Sequence, residues 1–110
     1  KYIVADSWFS SIENMDFIVG DVLKTLDTVD YEVDVLMVDP PRKGLHQKFI
    51  EKVIERKIKN IVYVSCNPQS WLSDSKILHS KGFQLNRVQL LDMFRATHHT
   101  ELLSVWTQYE

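Results

Sequence analysis

With 110 residues, the chain is long enough for one domain or part of one. Its 45% hydrophobic and 25% charged composition is that of an ordinary globular protein, and a formal net charge of −2 supplies no general attraction to nucleic acid. The single cysteine excludes an internal disulfide framework or a Cys-cluster metal site, and no apolar run approaches the roughly 20 residues that span a bilayer.

Three Gly and three Pro leave no room for a low-complexity linker. A lone Cys fits a reducing compartment, and Lys1-Tyr2-Ile3-Val4-Ala5-Asp6 lacks a signal-peptide pattern. The expected location is the cytoplasm.

In chain order, residues 3–11 have mixed apolar spacing and are expected to be helical. Asp16-Phe17-Ile18-Val19 reads as a short strand closed by the turn Gly20-Asp21, and residues 22–26 add a helical turn. Residues 33–38 are rich in β-branched side chains and end at Asp39-Pro40-Pro41, where two prolines cannot continue a ladder. Residues 47–57 carry Phe49, Ile50, Val53 and Ile54, the spacing of one apolar helix face.

Ile61-Val62-Tyr63-Val64 is a further apolar strand, running into Ser65-Cys66-Asn67-Pro68. A helix is predicted over 68–80, with Asn67 as N-cap and Pro68 at the first helical position. Gly82 suits the left-handed position after its end. Residues 83–91 and 101–109 read as strands separated by Asp92 to Thr100.

Apolar strands alternating with helices give the α/β class, with a mostly parallel sheet covered on both faces. The last two strands have no helix between them and are expected to pair antiparallel. Open α/β sheets bind ligands outside the carboxyl ends of their strands. Gly20-Asp21, Asp39-Pro40-Pro41-Arg42 and Ser65-Cys66-Asn67-Pro68 all fall at such ends. Each alone has a plain structural explanation: Gly-Asp is a common turn, and Asp-Pro-Pro also terminates strands.

Cys66 is the most informative residue. It follows an apolar strand and precedes a helix start, where unpaired N–H groups and the helix dipole favour a thiolate. The alternative is a small buried core residue. His46, His79, His98 and His99 lack metal-ligand spacing, so no metal site is expected, and His79 is read as a surface residue. Trp8, Trp71 and Trp106 are assigned to the core.

Asp39-Pro40-Pro41-Arg42-Lys43-Gly44-Leu45 resembles the D-P-P-R-x-G-L motif of RNA (uracil-5-)-methyltransferases. Tyr63-Val64-Ser65-Cys66-Asn67-Pro68 resembles that family's nucleophile motif. Asp92-Met93-Phe94-Arg95-Ala96-Thr97-His98-His99-Thr100-Glu101 resembles its D-M-F-P-x-T-x-H-x-E segment. The three motifs keep the family's order across most of residues 15–110.

The resemblance implies a Rossmann-like class I fold that uses S-adenosyl-L-methionine. It also implies Cys66 as the nucleophile that adds to C6 of a uridine, and Glu101 as the base that removes the C5 proton. Asp21 and Asp39 are implied at the cofactor, and Pro40, Arg42, Asn67 and His99 at the substrate. The implied partner is RNA, either 23S rRNA or tRNA, with no membrane and no metal cluster in this segment. With so little net charge, RNA would be met by a local basic face or a segment upstream of Lys1.

Arg95 stands where the family has proline, which removes a backbone restraint before Glu101 and adds a charge suited to phosphate. The family's glycine-rich loop and acidic ribose ligand are expected upstream of Lys1. Residues 1–110 are therefore read as the C-terminal portion of the catalytic domain, without the N-terminal RNA-binding domain. Two other readings stand beside this one. One is an inert structural or binding module; the other is an amino-methyltransferase built on the acidic-Pro-Pro motif, in which Cys66 and Glu101 would be expendable.

Overall fold

The computed structural model describes residues 2–4, 15–17, 26–27, 30–91 and 101–109. Strands β1 (Tyr2–Val4), β2 (Met15–Phe17) and β3 (Val35–Val38) precede helix α1 (Gln47–Glu55) and β4 (Asn60–Ser65). Helix α2 (Pro68–Ser80) then leads to β5 (Phe83–Leu91) and β6 (Glu101–Gln108). Among the described residues, no helix is long and apolar enough to cross a membrane.

The described strands form one sheet in the order β2-β1-β3-β4-β6-β5. Pairing is parallel from β2 to β4. It is antiparallel on both sides of β6. The class is α/β, with the expected antiparallel pair at the end of the chain. It is β6, the last strand, that inserts beside β4 and leaves β5 at the edge.

The expected helix over residues 3–11 is corrected at its start. Tyr2–Val4 is a strand, parallel to β2 on one side and β3 on the other. Aromatic and β-branched residues favour the pleated backbone, and a slot between two strands satisfies both edges of the segment. The rest of that expectation, with Trp8, Gly20 and Asp21, lies outside the described residues.

The helices begin and stop where local chemistry directs. At the start of α2, Asn67 Oδ1 accepts the Gln69 N–H at 3.1 Å and Pro68 occupies the first position. Its end is followed by Gly82 at φ +91°, as the sequence predicts. Helix α1 contains the whole apolar pattern but stops at Glu55, two residues before the expected end at Lys57. Lys57 adopts φ +59° there, and the Lys57 and Ile58 N–H groups return to the Ile54 and Val53 carbonyls at 2.9 and 3.1 Å. These two bonds make a Schellman cap.

The core lies between the helices and one face of the sheet. Leu36, Ile61 and Trp106 form one cross-strand row, and Val38, Tyr63 and Ser104 the next. All six are buried, beneath Phe49, Ile50 and Val53 of α1 and Leu78 of α2. Burying one such apolar side chain contributes on the order of 1.5–3 kcal/mol. Trp71 of α2 packs on Trp106 with ring centroids 6.3 Å apart. Both indole N–H groups donate to Ser104 Oγ, at 2.9 and 3.0 Å, which itself donates to the Tyr63 carbonyl at 3.3 Å.

Cover on both faces was expected; among the described residues the helices cover one, and even there the β5 edge stays open, with Leu85, Val88 and Leu90 exposed. Val62, Val64, Leu103 and Val105 alternate to the opposite face and are half-buried. The handedness of the connections explains this. The β3-α1-β4 and β4-α2-β5 crossovers advance in the same direction across the sheet, and right-handed crossovers with a common direction put their helices on a common face.

Candidate active site at the carboxyl edge of the sheet

The Asp39-Pro40-Pro41 turn leaves the carboxyl end of β3, and Ser65-Cys66-Asn67 leaves the carboxyl end of β4. Parallel pairing of Val38 with Tyr63 puts the two exits side by side. Strand β6 runs the other way, so its first residue, Glu101, lies at this same edge. Ser65 pairs with Leu102, which leaves Cys66 and Glu101 as the next residue on each strand. Two motifs and Glu101, the last residue of the third, thus meet along one edge.

Cys66 is exposed and forms no disulfide. Its neighbours are held. Ser65 is buried, and its Oγ accepts the Asn67 N–H at 3.1 Å while donating to the Asn67 carbonyl at 2.9 Å. The thiol therefore rides on a fixed turn and faces outward, which answers the alternative of a core cysteine. Glu101 is half-buried, as is Pro40, whereas Asp39 and Arg42 are exposed.

The Asp39–Leu45 loop is fastened to the cysteine turn and to α2. Asn67 Nδ2 donates to the Arg42 carbonyl at 3.1 Å, and Gly44 N–H closes a turn on the Pro41 carbonyl at 2.9 Å. The Leu45 N–H donates to Asp74 Oδ2 at 2.8 Å, and the Tyr63 hydroxyl donates to the same oxygen at 2.6 Å. Burial, and next the bond to Asp74, push the Tyr63 hydroxyl well above its ordinary range, so it stays protonated as a donor. Gly44 has φ +86°, and a Cβ there would stand 2.5 Å from Asp74 Oδ2.

Among the expected site residues, Cys66, Glu101, Asp39, Pro40, Arg42 and Asn67 come together at this edge. Asp21 and His99 lie outside the described residues, as does Arg95. Asn67, expected at the substrate, has both ends of its amide engaged in the protein: Oδ1 with Gln69, Nδ2 with Arg42. Asp74 was missed from the sequence. Its signal was a carboxylate three and four residues from Trp71 and Leu78, on the face of α2 that turns inward. Among the described residues, no group of His, Cys, Asp or Glu side chains is arranged to hold a metal.

A cleft of about 410 Å³, lined by Glu32, Val33, Asp34, Arg56, Lys57, Lys59 and Asn60, opens at the opposite edge, by the amino ends of β3 and β4. It carries both signs of charge and none of the motif residues.

The tRNA (uracil-5-)-methyltransferase family matches residues 14–108. An uncharacterized RNA methyltransferase of Caldanaerobacter subterraneus is 38% identical over 96 residues, covering 87% of this chain and 21% of that protein. One of Oceanobacillus iheyensis is 41% identical over 101 residues, covering 89% of this chain and 22% of that protein. The chain thus spans about a fifth of the length of the curated relatives it matches.

Among solved structures, the Pyrococcus abyssi tRNA (uracil-54, C5)-methyltransferase, in complex with S-adenosyl-L-homocysteine, superposes with a TM-score of 0.68 at 33% identity. That match covers 86% of this chain and 22% of the other. An rRNA methylase of Streptococcus thermophilus, at 12% identity and a TM-score of 0.56 over 90% of this chain and 60% of its own, shares the fold. With nearly the whole sequence inside one family's match, the chain belongs to the tRNA (uracil-5-)-methyltransferase family.

Proposed function

We propose that the protein carrying this segment methylates carbon 5 of a uridine in RNA, tRNA or 23S rRNA, in the cytoplasm. Cys66 is the nucleophile and Glu101 the base. The observation that carries this reading is the β4–β6 register, with an exposed thiol one residue past Ser65 and a carboxylate one residue before Leu102.

The uracil C5 is a poor nucleophile, and covalent addition divides a hard step in two. The Cys66 thiolate bonds to C6, and the C5–C6 double-bond electrons move toward C5 and the O4 carbonyl. The methyl group that C5 takes would come from S-adenosyl-L-methionine, whose S–CH3 bond breaks so that S-adenosyl-L-homocysteine leaves. Glu101 accepts the C5 proton, the C5–C6 double bond reforms, and the S–C6 bond breaks to release Cys66. The target base leaves its stack to reach the thiol.

Asp39, exposed at the end of a parallel strand, fits the edge where open α/β sheets take ligands, and we assign it with Asp21 to the cofactor. Pro40, Arg42 and His99 are assigned to the substrate. Asn67 is assigned to building the turn under Cys66, since its amide bonds within the protein support that role.

RNA containing 5-fluorouridine tests the chemistry, because fluorine at C5 cannot leave as a proton. The full-length protein is expected to form a covalent adduct with it, and Cys66→Ala to form none. An adduct that persists in Cys66→Ala would remove Cys66 from the mechanism.

A further inference from the structure

Asp74 is a carboxylate only 4% exposed, in the middle of α2, and takes no part in the chemistry above. Burying a charge is costly unless hydrogen bonds compensate it. Its compensation comes from two donors distant in sequence, the Leu45 N–H at 2.8 Å and the Tyr63 hydroxyl at 2.6 Å. Bonds to an ionised acceptor are about twice as strong as neutral ones. One oxygen thus joins α2, the strand that leads into Cys66, and the loop that carries Asp39, Pro40 and Arg42.

The fit around that oxygen is close. A Cβ on Gly44 would meet Asp74 Oδ2 at 2.5 Å and Ser70 Cβ at 3.2 Å, so the loop reaches the carboxylate only because residue 44 has no side chain. Leu45, next along, is buried and anchors the same turn. The Gly44-Leu45 end of the motif is therefore shaped to dock on Asp74. The Asn67 bond to the Arg42 carbonyl makes a second tie from the cysteine turn to this loop.

From this geometry we infer that Asp74 is a positioning residue of the site, holding the Asp39–Leu45 loop in register with the turn that presents Cys66. The inference rests on the reading of the site given under Proposed function. Through the loop, Asp74 sets where Pro40 and Arg42 meet RNA, without touching the reacting atoms.

The test uses the full-length protein with Asp74→Ala, Asp74→Asn and, as a control for lost stability, Val53→Ala in the core under α1. Asp74→Ala is expected to raise KM for uridine-containing RNA about tenfold or more while kcat falls by less than about threefold. Asp74→Asn, which keeps a neutral acceptor, should recover most of that KM. Val53→Ala should leave KM unchanged. If Asp74→Ala does not fold, a rise of a few-fold in Asp74→Asn supports the inference. A KM that does not move in the folded Asp74 variants overturns it.

Amide exchange at Leu45 gives an activity-independent readout. It should quicken about tenfold or more in Asp74→Ala and less in Asp74→Asn, while the Val53 amide stays protected. A wild-type protein that fails to methylate RNA would refute the proposed function. The Leu45 amide then decides alone: faster exchange upholds the tether, and unchanged exchange overturns it.

Discussion

Ser65 and Leu102 form the last antiparallel pair between β4 and β6, and the residue beyond each is Cys66 or Glu101. A thiol from the middle of the chain and a carboxylate from near its end become neighbours through backbone pairing alone. The separation of their roles gives the first prediction.

Glu101→Gln keeps size and hydrogen bonding but cannot take a proton. In the full-length protein, turnover on uridine-containing RNA is expected to fall about 10²–10⁴-fold. The protein–RNA adduct through Cys66 should then accumulate with ordinary uridine and show as a denaturation-resistant band. Turnover at the wild-type rate would take Glu101 out of the reaction.

Gly44→Ala is expected to destabilise the protein by about 2 kcal/mol or more. It forces an L side chain to φ +86° and drives a Cβ toward Asp74 Oδ2. Urea denaturation measures the loss; an unchanged midpoint would mean the loop has another way to dock.

Ser104→Ala removes the acceptor shared by Trp71 and Trp106. Leaving these indole N–H groups unpaired is expected to cost about 1–3 kcal/mol. The urea midpoint should drop, and tryptophan emission should change as the paired rings lose their common anchor.

Tyr63 supplies a pH dependence. Its folded-state pKa is raised above the ordinary 10.0, chiefly by burial and then by the bond to Asp74. Below that value the hydroxyl is protonated whether the chain is folded or not, and its contribution is fully present. Above pH 10.0 the unfolded chain loses this proton while the folded one keeps it, so stability falls as pH rises. Wild type should therefore lose stability from about pH 10 upward more steeply than Tyr63→Phe. Parallel alkaline limbs would contradict this.

Much of this architecture was legible because its signals are local. Pro40-Pro41 ends β3, Asn67-Pro68 starts α2, and Gly82 follows its end; each acts on backbone within a few residues. The edge that gathers Asp39 and Cys66 was readable for the same reason, since parallel strands deliver their carboxyl ends to one side. By itself, then, the sequence determined the class, most of the elements, the family and the residues on which the chemistry is proposed.

Tertiary structure decided what depends on partners distant in the chain. Tyr2–Val4 is extended because it has a strand on either side. β6 lies between β4 and β5, so Glu101 comes beside Cys66; that register is set by long-range backbone pairing and no local pattern encodes it. The helices share one face because two crossovers advance in the same direction. Asp74 looks like a misplaced charge in its own helix, and only the arrival of Tyr63 and Leu45, from elsewhere in the chain, makes its burial tolerable.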